Sequence, residues 1–415
     1  MQNNIFNNVP LVDGVFGKDL LLFDSVNELF ELELALLESQ SLSKEELLNR
    51  SAFFKAVNGN PTNHYKLCRP FNGHISEDRS AQTQAYFEEG KFSTGYATHG
   101  LFPYRGKFHP QLVKGLLNIL SVEPSEIVLD PMCGSGTLNV EASLLGIDSI
   151  GLDVSPFCRF MTRVKCQSLS LPLGLVQSMS NSAAKWFKYF SEGEIDTRLK
   201  QIKDADKLKV YELALLAYLD AMGYARRVSG AKGARHEELF EKVLRRYQTT
   251  VIQTITNPVI SRTKLGNAKI LEGDARSLPV ADSSIDCVLT SPPYSFAIDY
   301  AENDAPQLEF LGYNIDSLRS QMLGLAGKTK SEKLQRYFDD MGKVVHEIVR
   351  VLKSKKFAIL IIGSNTNQTG GIRLEQTIID HFKQAGAPLV RSVLKPIKGM
   401  RNTMKDEYIL IFQKN

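Results

Sequence analysis

The sequence predicts an α/β protein: a doubly wound, mostly parallel seven-stranded sheet with helices on its faces and a helical insertion. Three observations carry this prediction. From about residue 95 onward, short β-rich runs alternate with helical ones, the pattern of a parallel sheet buried between two helical layers. The first four strand candidates each end in or near an Asp or a Ser, at the carboxyl edge where open α/β sheets bind ligands. The stretch from Asp153 to Ile270 is far longer than a crossover between neighbouring strands requires.

Taken in chain order, residues 1–92 read as an accessory helical region. "SVNELFELELALLESQS" and "SKEELLNRSAFFKAV" have helical periodicity, and a Ser-x-x-Glu capping box opens the second. "NGNPTNHYKLCRPFNGH" is rich in turn formers and reads as loop. Residues 93–167 and 266–415 form the sheet domain. Its strands are "EIVLD" ending at Asp130, "SIGLD" ending at Asp153, "AKILEGD" ending near Asp274 and "IDCVLTS" ending near Ser291. They continue with "KFAILIIGSN" (356–365), "LVRSVLKPI" (389–397) and "EYILIFQK" (407–414), the last two pairing around a loop from Gly399 to Asn402. Residues 168–265 are the insertion, helical in "LALLAYLDAMGYARRV" and "HEELFEKVLRRYQTTVIQTI", on the ligand side of the sheet.

Composition narrows the class. Hydrophobic residues make up 43% and charged residues 23% of 415, ordinary for a soluble globular chain. The five cysteines form no CxxC pair and no zinc-type spacing, which suits reduced thiols and leaves no metal site. No apolar run is long enough to span a membrane, and the start "MQNNIFNNVPLVDG" lacks a basic-then-apolar signal. A cytoplasmic protein with no membrane partner is expected.

The net charge of +4 does not by itself announce a nucleic-acid partner. Local clustering says more. "YARRVSGAKGARHEELFEKVLRRY" concentrates Arg226, Arg227, Lys232, Arg235, Lys242, Arg245 and Arg246. "GKTKSEK" and "LKPIKGMR" add Lys328, Lys330, Lys333, Lys395, Lys398 and Arg401. Each cluster alone suits a solvated face; three together favour a polyanion. The candidate contacts are Arg226, Arg227, Lys232, Arg235, Lys398 and Arg401.

The chemistry concentrates at the strand ends. In "VLDPMCGSGTLNVEASLLG" a buried strand ends at Asp130, a tight turn through Gly134, Ser135 and Gly136 follows, and a helix starts near Thr137. Glycines there let backbone approach a ligand where a Cβ would collide. No Lys-Ser/Thr follows them and Asp130 opens the loop, so a cationic or zwitterionic ligand suits it better than a phosphate. Asp153, about twenty residues on, is placed to accept both hydroxyls of a ribose. Asp274 is placed to accept from an adenine amino group. A nucleoside site follows from three acidic strand ends beside one glycine loop.

Together, "DPMCGSGT", "GLDVSP", "GDA" and "TSPPY", in this order, resemble the S-adenosylmethionine-dependent amino-methyltransferases, which implies a Rossmann-like methyltransferase sheet. "TSPPY" is similar to the form typical of DNA cytosine-N4 methyltransferases. "YRGKFHPQL" resembles the segment covering the methionine end of the cofactor, which implies contacts from Lys107, His109 or Tyr104. "KDEYILIFQK" is like the family's last strand. The resemblance covers roughly residues 95–165 and 266–415. It implies S-adenosylmethionine as cofactor, held also by Met132, Ser135, Thr137 and Ala275. It also implies double-stranded DNA as partner, a monomeric enzyme, and a cognate restriction endonuclease acting separately.

Ser291-Pro292-Pro293-Tyr294 would then be the catalytic corner. An exocyclic amine is a poor nucleophile because its lone pair is delocalised into the ring. Acceptors around its two hydrogens aim that lone pair and stabilise the charge developing on nitrogen. The Ser291 hydroxyl and the Pro292 carbonyl are rigid acceptors of this kind, and Tyr294 offers a ring on which an extruded base can stack. Asp299 and Tyr300 are candidates for the base pocket. Cys133 lies in the cofactor loop, away from this corner, and reads as a packed thiol.

Two alternatives keep the sheet and change the base. Adenine-N6 enzymes usually carry Asp or Asn before Pro-Pro-Tyr, so Ser291 favours cytosine. "LDPMCGSGT" is also similar to guanine-N2 methyltransferases acting on structured RNA. For reading DNA, residues 303–340 compete with the insertion.

Overall fold

The computed structural model describes residues 11–69, 95–104, 107–192, 195–228, 236–293, 299–325, 328–364, 373–396 and 406–415. A small antiparallel sheet lies near the N-terminus, with strands β1 (Leu20–Leu22), β2 (Phe54–Val57) and β3 (Asn60–Pro61). The main sheet has seven strands: β4 (Ile127–Asp130), β5 (Asp148–Asp153), β6 (Ala268–Glu272), β7 (Ile285–Thr290), β8 (Leu352–Ser364), β9 (Leu389–Pro396) and β10 (Asp406–Gln413). Their order is β6-β5-β4-β7-β8-β10-β9. The pairs from β6 to β8 are parallel, and β10 runs antiparallel to both β8 and β9.

This order follows from how the chain winds. It starts at β4, moves outward through β5 to β6, then returns to the other side of β4 for β7 and β8. The switch lies between β4 and β7, where Val128 pairs with Cys287 and Leu129 with Val288. Helices diverge at such a point and leave a crevice beyond the strand ends. Both strands are buried: Val128, Leu129 and every residue of β7 are shielded from solvent. Buried parallel strands therefore read as continuous apolar runs rather than alternating ones.

All seven expected strands are present. The insertion is helical as expected, with helices Ala205–Val228 and His236–Ile255 packed on one another. Leu213, Leu216, Phe240 and Tyr247 share a core with Phe157, Met161 and Val164 of the helix Pro156–Gln167. Part of the insertion's positive charge is neutralised internally. Arg246 pairs with buried Asp220 at 2.7 Å, and Arg245 with Glu241 at 2.8 Å.

The N-terminal region departs from its reading in two places. The second expected helix ends at Arg50, and Phe54–Val57 is a strand. The reason is the buried carboxylate of Glu38, which accepts from Ala52 N–H (2.7 Å), Phe53 N–H (3.1 Å) and the Ser51 hydroxyl (2.9 Å). Those bonds hold the chain extended where a helix would have continued. Within the expected loop, Asn63–Cys68 is a helix capped by the Thr62 side chain. The region is also no independent unit. Leu34, Ala35 and Phe53 join Leu112, Val113 and Leu116 of the helix Pro110–Ile119 in one core with Val128, Leu289, Ile359 and Ile409 of the sheet.

Candidate active site

The carboxyl ends of β4, β5, β6 and β7 open on one pocket. Asp130 ends β4 but does not line it. Its side chain is wholly buried, and its Oδ1 accepts from the Thr290 hydroxyl (2.7 Å) and from Met132 N–H (3.1 Å). Burial pushes its carboxyl up to about 7, against the lowering effect of those two bonds; the Asp153 charge adds to the rise. A role in touching the ligand therefore does not fit Asp130. It ties the glycine loop to the end of β7.

The loop that follows presents Met132, Cys133, Gly134 and Ser135 to the pocket, with Thr137 behind them. The two glycines have different reasons to be glycine. At Gly134 (φ +49°) the nearest atom to an added Cβ is the Tyr104 ring at 3.7 Å, so this face is open for a ligand. At Gly136 (φ +75°) an added Cβ would lie 2.5 Å from Thr162 Cγ2. Gly136 is not part of the pocket wall; it lets the loop pack on the helix Pro156–Gln167.

Asp153, at the end of β5, lines the pocket. Its Oδ2 accepts from Gly134 N–H and its Oδ1 from Ser155 N–H, both at 2.9 Å. These bonds orient the carboxylate and leave further lone pairs for a ligand. Burial raises its pKa; the two backbone bonds and the Arg159 charge oppose the rise. Asp274, beyond β6, also lines the pocket, but Arg276 grips it through Nη2 (2.6 Å) and Nε (3.0 Å). Burial opposes ionisation of Asp274, yet the Arg276 bonds outweigh it and hold the carboxyl below its usual range. Arg276 is itself anchored to Asp340 at 2.8 Å. Ala275 completes this wall.

Lys107 reaches the pocket, with its Nζ donating to the His99 carbonyl at 3.2 Å. His109 does not: it is the exposed N-cap residue of the helix Pro110–Ile119. On the opposite side, Ser291 and Pro293 line the pocket while Pro292 is buried behind them. Tyr294, Lys232, Arg235, Lys398 and Arg401 lie outside the described residues. Arg226 and Arg227 lie on the helix Ala205–Val228, with side chains outside the description.

Tyr104 and Tyr300, both candidates in the sequence, line the pocket beside wall residues that carried no sequence signal. Tyr104 and Tyr300 stack with ring centroids 6.3 Å apart, and Cys158 and Asp304 lie beside them. Gln321, Met322, Leu323 and Leu325 close the far side. Asp299, a candidate for the base pocket, does not line it; it caps the helix Tyr300–Asn303 and pairs with Arg319 at 2.8 Å. The empty space amounts to about 950 Å³, counted to the open mouth, which suits a nucleoside-sized ligand with a base beside it. Among the described residues no group of three metal-ligating side chains occurs, and no helix is long and apolar enough to cross a membrane.

Comparison with known proteins gives these similarities. The family model UPF0020, described as RMKL-like, methyltransferase domain, matches residues 101–192, which span β4, the glycine loop and β5. The Type II methyltransferase M.MjaII of Methanocaldococcus jannaschii is 24% identical over 427 aligned positions, covering 75% of this chain and 78% of that one. A tRNA (guanine(10)-N2)-dimethyltransferase of the same organism is 33% identical over 81 positions, 20% of this chain and 23% of its own. Among solved structures, an S-adenosylmethionine-dependent methyltransferase from Methanosarcina mazei aligns with 71% of this chain and 94% of its own, at 11% identity and a TM-score of 0.34.

Residues 101–192 therefore match a methyltransferase-domain model, and S-adenosylmethionine is the cofactor against which the pocket can be tested. The donor set fits that molecule. Asp153 faces the pocket with lone pairs that would accept from ribose hydroxyls, the open face of Gly134 would admit close approach, and Met132 and Ala275 would give apolar walls to a purine.

Proposed function

We propose that this chain is a site-specific DNA methyltransferase that methylates the N4 amine of a flipped cytosine. The observation that carries the reading is the position of Ser291 and Pro293, which border the same pocket as Gly134 and Asp153. The 24% identity with a Type II methyltransferase along most of both chains supports DNA as the substrate.

When bound, S-adenosylmethionine supplies an electrophilic methyl group on a sulfonium. The chain's own residues do the rest by placement. Asp153 and the Gly134 face hold the nucleoside end, while Ser291 and the Pro292 carbonyl accept from the hydrogens of the target amine. That leaves its lone pair directed at the methyl group and spreads the charge appearing on nitrogen. Ser291 in place of an acidic or amide side chain is the feature that favours cytosine over adenine. Tyr294 would support the base once it has left the duplex, and Arg226, Arg227, Lys232, Arg235, Lys398 and Arg401 would meet the phosphates. Restriction-modification is the setting this implies, with a separate endonuclease and a monomeric enzyme.

A second reading, guanine-N2 methylation of structured RNA, is favoured by the local match to the tRNA dimethyltransferase. One experiment separates the two. The protein is incubated with labelled S-adenosylmethionine and either DNA or tRNA, and the nucleosides are identified by mass. Labelled N4-methylcytosine from DNA supports the proposal. Label found only as N2-methylguanine from tRNA, or only as N6-methyladenine, overturns it.

A further inference from the structure

We propose that Asp304 is a cofactor-contacting carboxylate that recognises the positive charge of S-adenosylmethionine and so sets the preference for it over the demethylated product. This rests on the methyltransferase reading above and adds a residue to that site.

Asp304 is 3% exposed and nevertheless forms part of the pocket wall. Its Oδ1 accepts from Asn303 Nδ2 at 2.9 Å, and its backbone N–H closes the helix Tyr300–Asn303 by donating to the Tyr300 carbonyl at 3.0 Å. Among the described residues it forms no ion pair. A carboxylate so buried without a cation is costly unless a ligand supplies the charge.

Its surroundings place it on the cofactor side of the pocket. Tyr104, which shares the pocket wall with it, is also the nearest side chain to the open face of Gly134. Cys158 lies on the helix that follows Asp153, and the Asp153 charge is felt at Asp304. Asp274 is already paired with Arg276, so Asp153 and Asp304 are the wall carboxylates left for a cationic ligand, with Lys107 the wall's cation. S-adenosylmethionine has a sulfonium and an ammonium against one carboxylate. After methyl transfer the sulfur is a neutral thioether, so the product carries one positive charge fewer. A fixed negative charge in the wall therefore discriminates between the two.

Titration follows the same logic. Burial, then the Asp153 charge, pushes the Asp304 carboxyl up to about 7, against the bond from Asn303. The ionisable groups facing it are Asp153, Cys158, Tyr104 and Tyr300, with Lys107 and Asp274 elsewhere in the same wall.

The test is calorimetric binding of S-adenosylmethionine and S-adenosylhomocysteine at pH 8 to the full chain and to Asp304→Asn, which keeps an acceptor for Asn303. The variant is expected to lose about tenfold or more in affinity for S-adenosylmethionine, the size of a nearby opposite charge, with S-adenosylhomocysteine nearly unchanged. Equal loss of both ligands, or loss of neither, overturns the proposal. If the variant does not fold, the unaltered protein decides by its pH series: preference for S-adenosylmethionine should climb between pH 6 and 8, and a flat ratio overturns the assignment. Unaltered protein that binds neither ligand overturns the methyltransferase reading and this proposal with it.

Discussion

The Thr290 hydroxyl donates to Asp130 Oδ1 across 2.7 Å, joining the ends of two neighbouring parallel strands at the point where the winding of the sheet reverses. The same Oδ1 accepts from Met132 N–H. The glycine loop and the Ser-Pro-Pro corner are thereby fastened to one another through a single carboxylate, and their separation is set by strand spacing rather than by loop conformation.

That carboxylate should make stability depend on pH. With a folded pKa raised to about 7 from an ordinary 3.8, Asp130 binds its proton more tightly in the folded state. Its contribution is favourable below the unfolded pKa and is lost as pH rises through the folded one. Asp130→Asn, which still accepts from Thr290 and Met132, should remove this dependence. Urea unfolding at pH 4, 5.5, 7 and 8 should show wild type losing a few kcal/mol relative to the variant as pH rises towards 7; parallel curves would refute the assignment.

Ser291→Ala should leave cofactor affinity unchanged and lower turnover by roughly 10²–10³-fold, the usual effect of removing one group that stabilises charge in the transition state. Calorimetry and single-turnover methyl transfer check the two halves separately. A matching loss in both would mean that Ser291 acts on the cofactor instead.

The two loop glycines should respond differently. Gly136→Ala places a Cβ against Thr162 in a left-handed backbone, and should cost about 1–3 kcal/mol in thermal or denaturant unfolding. Gly134→Ala meets no protein atom closer than 3.7 Å. It should lose less stability and show its main effect in S-adenosylmethionine affinity. Reversal of this order would exchange the roles given to the two residues.

Charge reversal at Arg226 and Arg227 should weaken DNA binding and flatten its salt dependence, by about one unit of slope for each phosphate no longer neutralised. Fluorescence titrations between 50 and 200 mM salt measure this. An unchanged slope would move recognition to residues 303–340, part of which, Gln321 to Leu325, already borders the pocket.

Much of this architecture is legible in residue order, because its causes are local. Apolar runs bounded by turn formers make the seven strands, and glycines after a buried strand make a loop that approaches a ligand. The break in the N-terminal helical pattern has a distant cause. "SAFFKAV" continues a helical pattern, but Glu38, in the preceding helix, captures the Ala52 and Phe53 amides and holds them extended.

The acidic strand ends show the same division most clearly. Residue order was enough to mark Asp130, Asp153 and Asp274 as belonging to one carboxyl edge, since each ends or closely follows a strand of the same sheet. Their separate tasks came from partners the strand pattern does not mark: Thr290 draws Asp130 out of the pocket, Arg276, itself held by distant Asp340, takes up Asp274, and Gly134 turns Asp153 towards the cavity. Asp304 had no signal at all. A carboxylate becomes a site only when folding strips it of water and leaves its charge facing a ligand, and that is settled by neighbours that no local pattern records.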